Sequence, residues 1–180
     1  MIILFGVVGS GKSEQAKRLL DHFSCPYIST SHLLRDNLTP DRRAKMLAGK
    51  LVDDEEILQL LGPALDKARA GEQECILDGA PRSIVQAKWL MKRIQKGDIK
   101  LTATIYLKVS KKDVLKRLLA RGRDDDKREI ISQRFSQYDK ITTPVLDYLR
   151  EEGCKIEEVD ASKSPEEVEA EIQKVLFKNR

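Results

Sequence analysis

The sequence predicts an α/β protein in three layers, a five-stranded parallel sheet between helices. Three observations carry that prediction: short apolar runs recur along the chain, longer segments with helical periodicity separate them, and the first run passes straight into a glycine-rich loop. Such alternation requires crossover connections between parallel strands. At 180 residues the chain is about one domain long and can bury a core without disulfides or structural metal. Residues 1–180 are therefore read as a single domain.

Residues 1–5 form an apolar run that reads as a buried strand, because it lacks a basic leader and is far too short for a signal or membrane segment. A helix is expected over 13–22, followed by a short strand at Tyr27 and Ile28. Residues 30–71 are helical in pattern and strand-free, with one helix at 53–70. That stretch reads as an excursion from the sheet, since it is too long for an ordinary crossover, and such excursions commonly carry function. The next strand is 74–77, then a helix at 83–95, a strand at 103–109, helices at 111–120 and 127–151, and a strand at 155–159. A last helix at 165–177 has a readable start: Ser164 can cap it, Pro165 suits the first turn, and Glu166 and Glu167 complement the positive helix end.

Lys and Arg number 33 against 29 Asp and Glu, so the net charge is only +4. That excess is spread along the chain, which argues against a nucleic-acid or membrane surface as the main partner and makes any basic site local. Cys25, Cys75 and Cys154 lie far apart with no paired spacing, which argues against a disulfide framework and a zinc site and fits a reducing cytoplasm.

The segment Gly6-Val7-Val8-Gly9-Ser10-Gly11-Lys12-Ser13 matches G-x-x-x-x-G-K-[ST], follows a predicted strand and opens a predicted helix, the context this phosphate-binding loop requires. The backbone must wrap a phosphate with its N–H groups inward, and side chains at the glycine positions would block the approach. Lys12 supplies charge to the outer phosphates. The Ser13 hydroxyl is placed to hold Mg²⁺, and the helix directs its positive end at the anion. The run Glu74-Cys75-Ile76-Leu77-Asp78 has the pattern of a buried strand ending in a carboxylate, as expected of a residue that orients Mg²⁺ through water. By composition alone Asp78 reads equally as a turn residue before Gly79-Ala80-Pro81; the phosphate loop favours the metal role.

Further segments are more specific. Ser29-Thr30-Ser31-His32-Leu33-Leu34-Arg35, Gly49-Lys50-Leu51-Val52 and Leu77-Asp78-Gly79-Ala80-Pro81-Arg82 with Gln86, followed by Arg117, Arg121, Arg123, Asp125, Asp126, Arg134 and Tyr138, occur in that order. Over nearly the whole chain the sequence resembles the adenylate kinase, or more broadly nucleoside monophosphate kinase, family. The resemblance implies a P-loop NTPase fold, with 30–71 as a helical monophosphate-binding flap and 121–127 as a very short lid. It implies an ATP site at Gly9, Ser10, Gly11, Lys12, Ser13, Glu14, Arg117, Arg121 and Lys163. It implies an AMP site at Thr30, Arg35, Lys50, Leu51, Val52, Gly79, Ala80, Pro81, Arg82, Gln86, Arg123 and Arg134, with Gln86 reading the adenine edge. Lys12, Arg82, Arg123 and Arg134 would act in catalysis. Ser13 and, through water, Asp78 would hold Mg²⁺.

Arginine suits this task because planar guanidinium groups grip phosphate oxygens in pairs and never lose their charge. In an arbitrary chain, Arg117 to Arg134 would read as a solvated helix face; the preceding motifs reverse that. No general base is expected, since a monophosphate is already largely ionised at neutral pH. The chain departs from the family where it has Ser31 and His32 in place of glycine and aspartate, Ala80 in place of an aromatic residue, and a lid shorter than the common short form. Ser31 is read as a helix cap and His32 as an exposed surface residue. The short lid predicts some hydrolysis, because lid closure excludes water.

The expected activity is reversible transfer from ATP to AMP giving two ADP, by a cytoplasmic monomer with Mg²⁺ as cofactor and neither nucleic acid nor membrane as partner. A pyrimidine monophosphate acceptor is the nearest alternative. A nucleotide-dependent switch is another, though the chain has no N-K-x-D motif and such a switch would leave the second-site arginines without a purpose.

Overall fold

The computed structural model describes residues 1–37, 39, 52–123 and 125–178. Strand β1 (Ile2–Phe5) leads through the glycine loop into α1 (Lys12–His22), and β2 (Tyr27–Ser29) runs into α2 (Thr30–Asn37). After α3 (Asp54–Lys67) come β3 (Ile76–Asp78), α4 (Ile84–Gln95), β4 (Ala103–Lys108) and α5 (Lys111–Arg121). Helix α6 (Arg128–Gln137), a π turn (Tyr138–Thr142), α7 (Thr143–Glu151), β5 (Ile156–Asp160) and α8 (Pro165–Lys178) complete the chain.

All strand pairs are parallel, in the order β2-β3-β1-β4-β5. The apolar run at the start of the chain thus becomes the central strand and alternates between two cores. Ile3 and Phe5 pack with Leu61, Leu65, Leu90 and Leu146 on one face, whereas Ile2 and Leu4 pack with Leu19, Ile105, Ile172 and Leu176 on the other. Each such side chain contributes about 1.5–3 kcal/mol relative to exposure. Helices α3, α4 and α7 cover the first face, and α1 and α8 the second, giving the predicted three layers. A smaller cluster of Val7, Val114, Leu118 and Ile131 supports the glycine loop from α5 and α6.

Register decides what meets at the carboxyl edge of the sheet. Asp78 lies opposite Leu4 of β1 and Ser29 of β2, so the ends of three strands deliver the glycine loop, Thr30 and the Asp78–Gly79 corner to one crevice. The order reverses at β1, and such a switch point is where α/β sheets open a ligand site.

Three expectations needed adjustment. The helix predicted over 127–151 is divided by the π turn, in which the Thr143 N–H donates to the Tyr138 carbonyl. Pro144 follows at once; it has no N–H, and its ring crowds the carbonyl four residues earlier, so the ladder widens there. The helix predicted over 53–70 stops at Lys67, because Arg69 takes a left-handed φ of 51° and the Ala70 N–H turns back to Leu65 O. The expected cap at Ser164 holds, with Ser164 and Glu167 capping each other reciprocally, and Asp53 Oδ1, which was not foreseen as a cap, accepts from the Glu55 N–H at 3.0 Å. Ser31, by contrast, is not the expected cap: β2 runs straight into α2 at Thr30, which leaves Ser31 inside the helix.

Candidate active site

The glycine loop is shaped by its own neighbours. A Cβ at Gly9, where φ is +79°, would sit 2.8 Å from the Leu118 side chain and 2.9 Å from Val114. Only glycine permits both that conformation and that approach. Lys12 opens α1 and folds its ammonium back over the loop, donating to Gly6 O at 2.7 Å and Val7 O at 2.9 Å. The Ser10 hydroxyl is buried in the same loop and has no hydrogen-bond partner among the described residues. Gly11 caps α1 in a left-handed conformation, and the Glu14 carboxylate, in the first turn, is turned outward to Arg18 at 3.1 Å.

Ser13 Oγ donates to Asp78 Oδ2 at 2.8 Å, and the Tyr27 hydroxyl donates to the same oxygen at 2.9 Å. A hydroxyl and a carboxylate beside a phosphate loop are the hard oxygen donors that Mg²⁺ takes, and the donor chemistry therefore fits the ion. Tyr27 was not foreseen. It sits two residues before the edge that the sequence pattern marks, and only the pairing of β2 with β3 brings it to Asp78. Burial, and then Asp78, push its phenol up to about 12, so it remains a donor at neutral pH.

On the other side of Asp78, Thr30 Oγ1 donates to Gly79 O at 2.9 Å, and Arg82 Nε donates to the same carbonyl at 2.7 Å. The corner is tight, with Gly79 at φ +89° and a cis bond between Ala80 and Pro81. Ala80, where the family has an aromatic ring, is buried at 2% exposure in the first core. Gln86 is engaged at both ends. Its Oε1 accepts from the Arg82 backbone N–H and its Nε2 donates to Asp54 Oδ1, each at 2.8 Å. Asp54 also accepts from Ser83 Oγ, and Thr142 of the π turn donates to Arg82 O at 3.0 Å. Asp54 was legible only as an acidic residue in a first helical turn. Arg35 is half-buried on α2, and Val52 lies just before the Asp53 cap of α3; Lys50 and Leu51 lie outside the described residues. His32 is exposed, its ring edge-on to Tyr27 at 6.0 Å.

The connection after α5 is tied by carboxylates. Arg121 makes a two-pronged pair with Asp126 at 2.8 and 2.7 Å, and the Arg123 N–H donates to Asp126 at 3.1 Å. Burial would raise the Asp126 carboxyl, but these bonds together hold it below its ordinary value. Arg134 pairs with Asp125 at 2.7 Å. Arg123 is exposed. Arg117 reaches Ser162 O at 3.4 Å, which brings it beside the loop of Lys163, itself paired with Glu171.

Electrostatics link these parts. Burial pushes the Lys12 ammonium down to about 8, with Asp78 opposing and Arg82 and Arg121 adding to the effect. Burial also lowers Arg82, with Asp78 opposing and Arg134 adding. Lys12 therefore lies within electrostatic reach of Arg82 and Arg121, and Arg82 of Arg134; Asp78 is the acid beside Lys12 and Arg82, while Asp126 and Asp125 pair with Arg121 and Arg134. Cations held together against their repulsion, beside a backbone loop rich in N–H groups, are matched to a polyanion.

The chain has close relatives in sequence. A family model described as adenylate kinase matches residues 4–154. The chain is 36% identical over 180 residues to an adenylate kinase of Mycolicibacterium vanbaalenii, covering 97% of this chain and 98% of that protein. It is 37% identical to an adenylate kinase of Mycobacterium sp. (strain MCS), with the same coverage, and 32% identical over 212 residues to one from Chloroherpeton thalassium, covering 97% of each.

Proposed function

The chain belongs to the adenylate kinase family, and from that premise we propose that it transfers the terminal phosphoryl group of ATP reversibly to AMP, giving two ADP, with Mg²⁺. The observation that carries this reading is the meeting of two distinct phosphate platforms on either side of Asp78 at the carboxyl edge of the sheet. One platform is the loop Gly9, Ser10, Gly11, Lys12 and Ser13. The other is the corner of Thr30, Gly79 and Arg82.

In this reading the triphosphate lies along the loop, with its base toward Arg117 and Lys163, and AMP lies against Thr30, Arg35 and Arg82 with its base toward Gln86. A phosphate oxygen of AMP attacks the γ-phosphorus; the bond from that phosphorus to the β–γ bridging oxygen breaks, and its electrons leave on ADP. The attacking oxygen is already ionised at neutral pH, so no side chain need remove a proton. Lys12, Arg82, Arg123 and Arg134 hold the two anions in line and stabilise the charge on the transferring group. Ser13 and, through water, Asp78 would hold Mg²⁺, which when bound neutralises charge on the outer phosphates. Residues 30–71 act as the flap over AMP and 121–127 as the lid.

We place the protein in the cytoplasm as a monomer. None of its three cysteines is disulfide-bonded, and among the described residues no helix is long and apolar enough to cross a membrane.

The test is ADP formation from ATP and Mg²⁺ with AMP, UMP, CMP, GMP and dTMP offered separately, beside a control without acceptor. AMP is expected to respond. A preference for UMP or CMP would move the acceptor while keeping the chemistry, and no response to any monophosphate would overturn the reading.

A further inference from the structure

We propose that Asp54 is a specificity-determining positioning residue: it fixes which way the Gln86 amide faces, and so makes the acceptor site select a 6-amino purine over a 6-oxo purine. The inference rests on the reading that Gln86 meets the base of the acceptor.

A primary amide is nearly symmetric in shape but opposite in hydrogen-bonding polarity at its two ends. The two partners of Gln86 remove that ambiguity. The Arg82 backbone N–H can only donate, so it must face Oε1, and the Asp54 carboxylate can only accept, so it must face Nε2; both bonds are 2.8 Å. Turning the amide over would set donor against donor at Arg82 and acceptor against acceptor at Asp54. Gln86 is 2% exposed, so water cannot make good the two lost bonds, and polar groups left unpaired in such a place are costly.

The Arg82 N–H and the Asp54 carboxylate are the partners of the Gln86 side-chain amide among the described residues, and beyond them the amide retains one N–H on Nε2 and one lone pair on Oε1. That donor and acceptor fit the edge of a 6-amino purine, whose N1 accepts and whose amino group donates. A 6-oxo purine presents the reverse, an N1–H donor and an oxygen acceptor, and would be accommodated only by the overturned amide. A site built to hydrogen-bond one polarity rejects the other strongly, because its own groups are left unpaired. Asp54 stands at the start of α3, where an acidic residue would serve the helix end equally well with any side-chain direction; its bond to Gln86 is what ties it to base choice.

The experiment compares AMP with IMP, which differ only at this edge, as acceptors with ATP and Mg²⁺, and measures the affinity of each by calorimetry without ATP. Asp54→Asn keeps the shape but can donate to an overturned amide, and Asp54→Ala removes the acceptor; either leaves the Arg82 N–H to hold the orientation without Asp54. In both, the ratio of kcat/KM for AMP over IMP is expected to fall at least about tenfold. The change should lie in KM and in the calorimetric affinities, with kcat at saturating AMP within about threefold. Ser83→Ala removes the second donor to Asp54 among the described residues and the cap of α4, and is expected to lower thermal stability while leaving the ratio in place. A ratio within twofold of wild type in both folded Asp54 variants, or an equal fall in Ser83→Ala, would overturn the inference. If the wild-type protein phosphorylates no AMP at all, it is the underlying assignment that fails, and this inference falls with it.

Discussion

Ser13 and Asp78 are 65 residues apart in the chain and share a 2.8 Å hydrogen bond, Oγ to Oδ2, at the carboxyl edge of the sheet. The contact exists because β1 and β3 are neighbours with Leu4 opposite Asp78, so the helix that follows one strand starts beside the end of the other. Asp78 also restrains the cations around it, since it opposes the loss of charge at both Lys12 and Arg82. Asp78→Asn keeps the shape and the two hydroxyl partners but removes the charge. A fall in kcat of about 10²-fold or more is expected, with a higher Mg²⁺ concentration for half-maximal rate. A magnesium titration of initial rate checks both, and an unchanged titration would exclude the metal role.

Lys12 predicts a pH-dependent difference in stability. In the folded protein burial lowers its pKa from 10.5 to about 8. Below pH 8 both folded and unfolded chains carry the proton, and the folded state bears the full desolvation cost. Between 8 and 10.5 the unfolded state binds a proton that the folded state has released, so stability rises with pH. The effect is at most about 3–4 kcal/mol at about 1.4 kcal/mol per pKa unit, and less to the extent that solvent reaches this half-buried side chain. Urea denaturation without nucleotide or divalent metal should show wild type gaining on Lys12→Met across this window. A constant difference from pH 7.5 to 10.5 would mean that the ammonium is not desolvated.

Gly79→Ala tests the proposed monophosphate corner. The added Cβ would lie 2.4 Å from Thr30 Oγ1 and 3.1 Å from Arg82 Nη2, at a backbone φ of +89°. Strain of about 1–3 kcal/mol is expected, together with displacement of the two side chains proposed to meet AMP. KM for AMP should rise about tenfold or more while KM for ATP changes little, since the glycine loop is untouched. Equal changes in both constants would argue against an acceptor site here.

The proposed lid at 121–127 predicts a leak. Only residues 122–127 separate the end of α5 from the start of α6, and the carboxylates of Asp125 and Asp126 hold this connection to Arg134 and Arg121. So short a segment covers little of the reacting phosphate, and water excluded less completely competes with the acceptor. Phosphate release from ATP and Mg²⁺ without AMP is expected above an enzyme-free control. Undetectable release would show that exclusion of water does not depend on lid length.

Much of the site was legible in the sequence where its parts are contiguous. The loop from Gly6 to Ser13 is a local structure whose glycines, lysine and serine act within eight positions of one another, and the capped start at Ser164 depends on a neighbour three residues away. The interruption at the π turn was not read, although Pro144 was in plain view, because the apolar repeat continues across it. The loss of one N–H alters the backbone ladder and leaves hydrophobic periodicity intact.

By itself the sequence determined the strands, the helices, the phosphate loop and the arginines available to it, because those depend on periodicity and on short-range backbone geometry. Tertiary structure alone decided which groups meet. Tyr27 reaches Asp78 across 51 residues, and Asp54 reaches Gln86 across 32. Those meetings follow from strand order and register, and from where α3 packs against α4. Such placements come from burying both faces of the sheet at once, a property of the whole core that no local run of residues encodes.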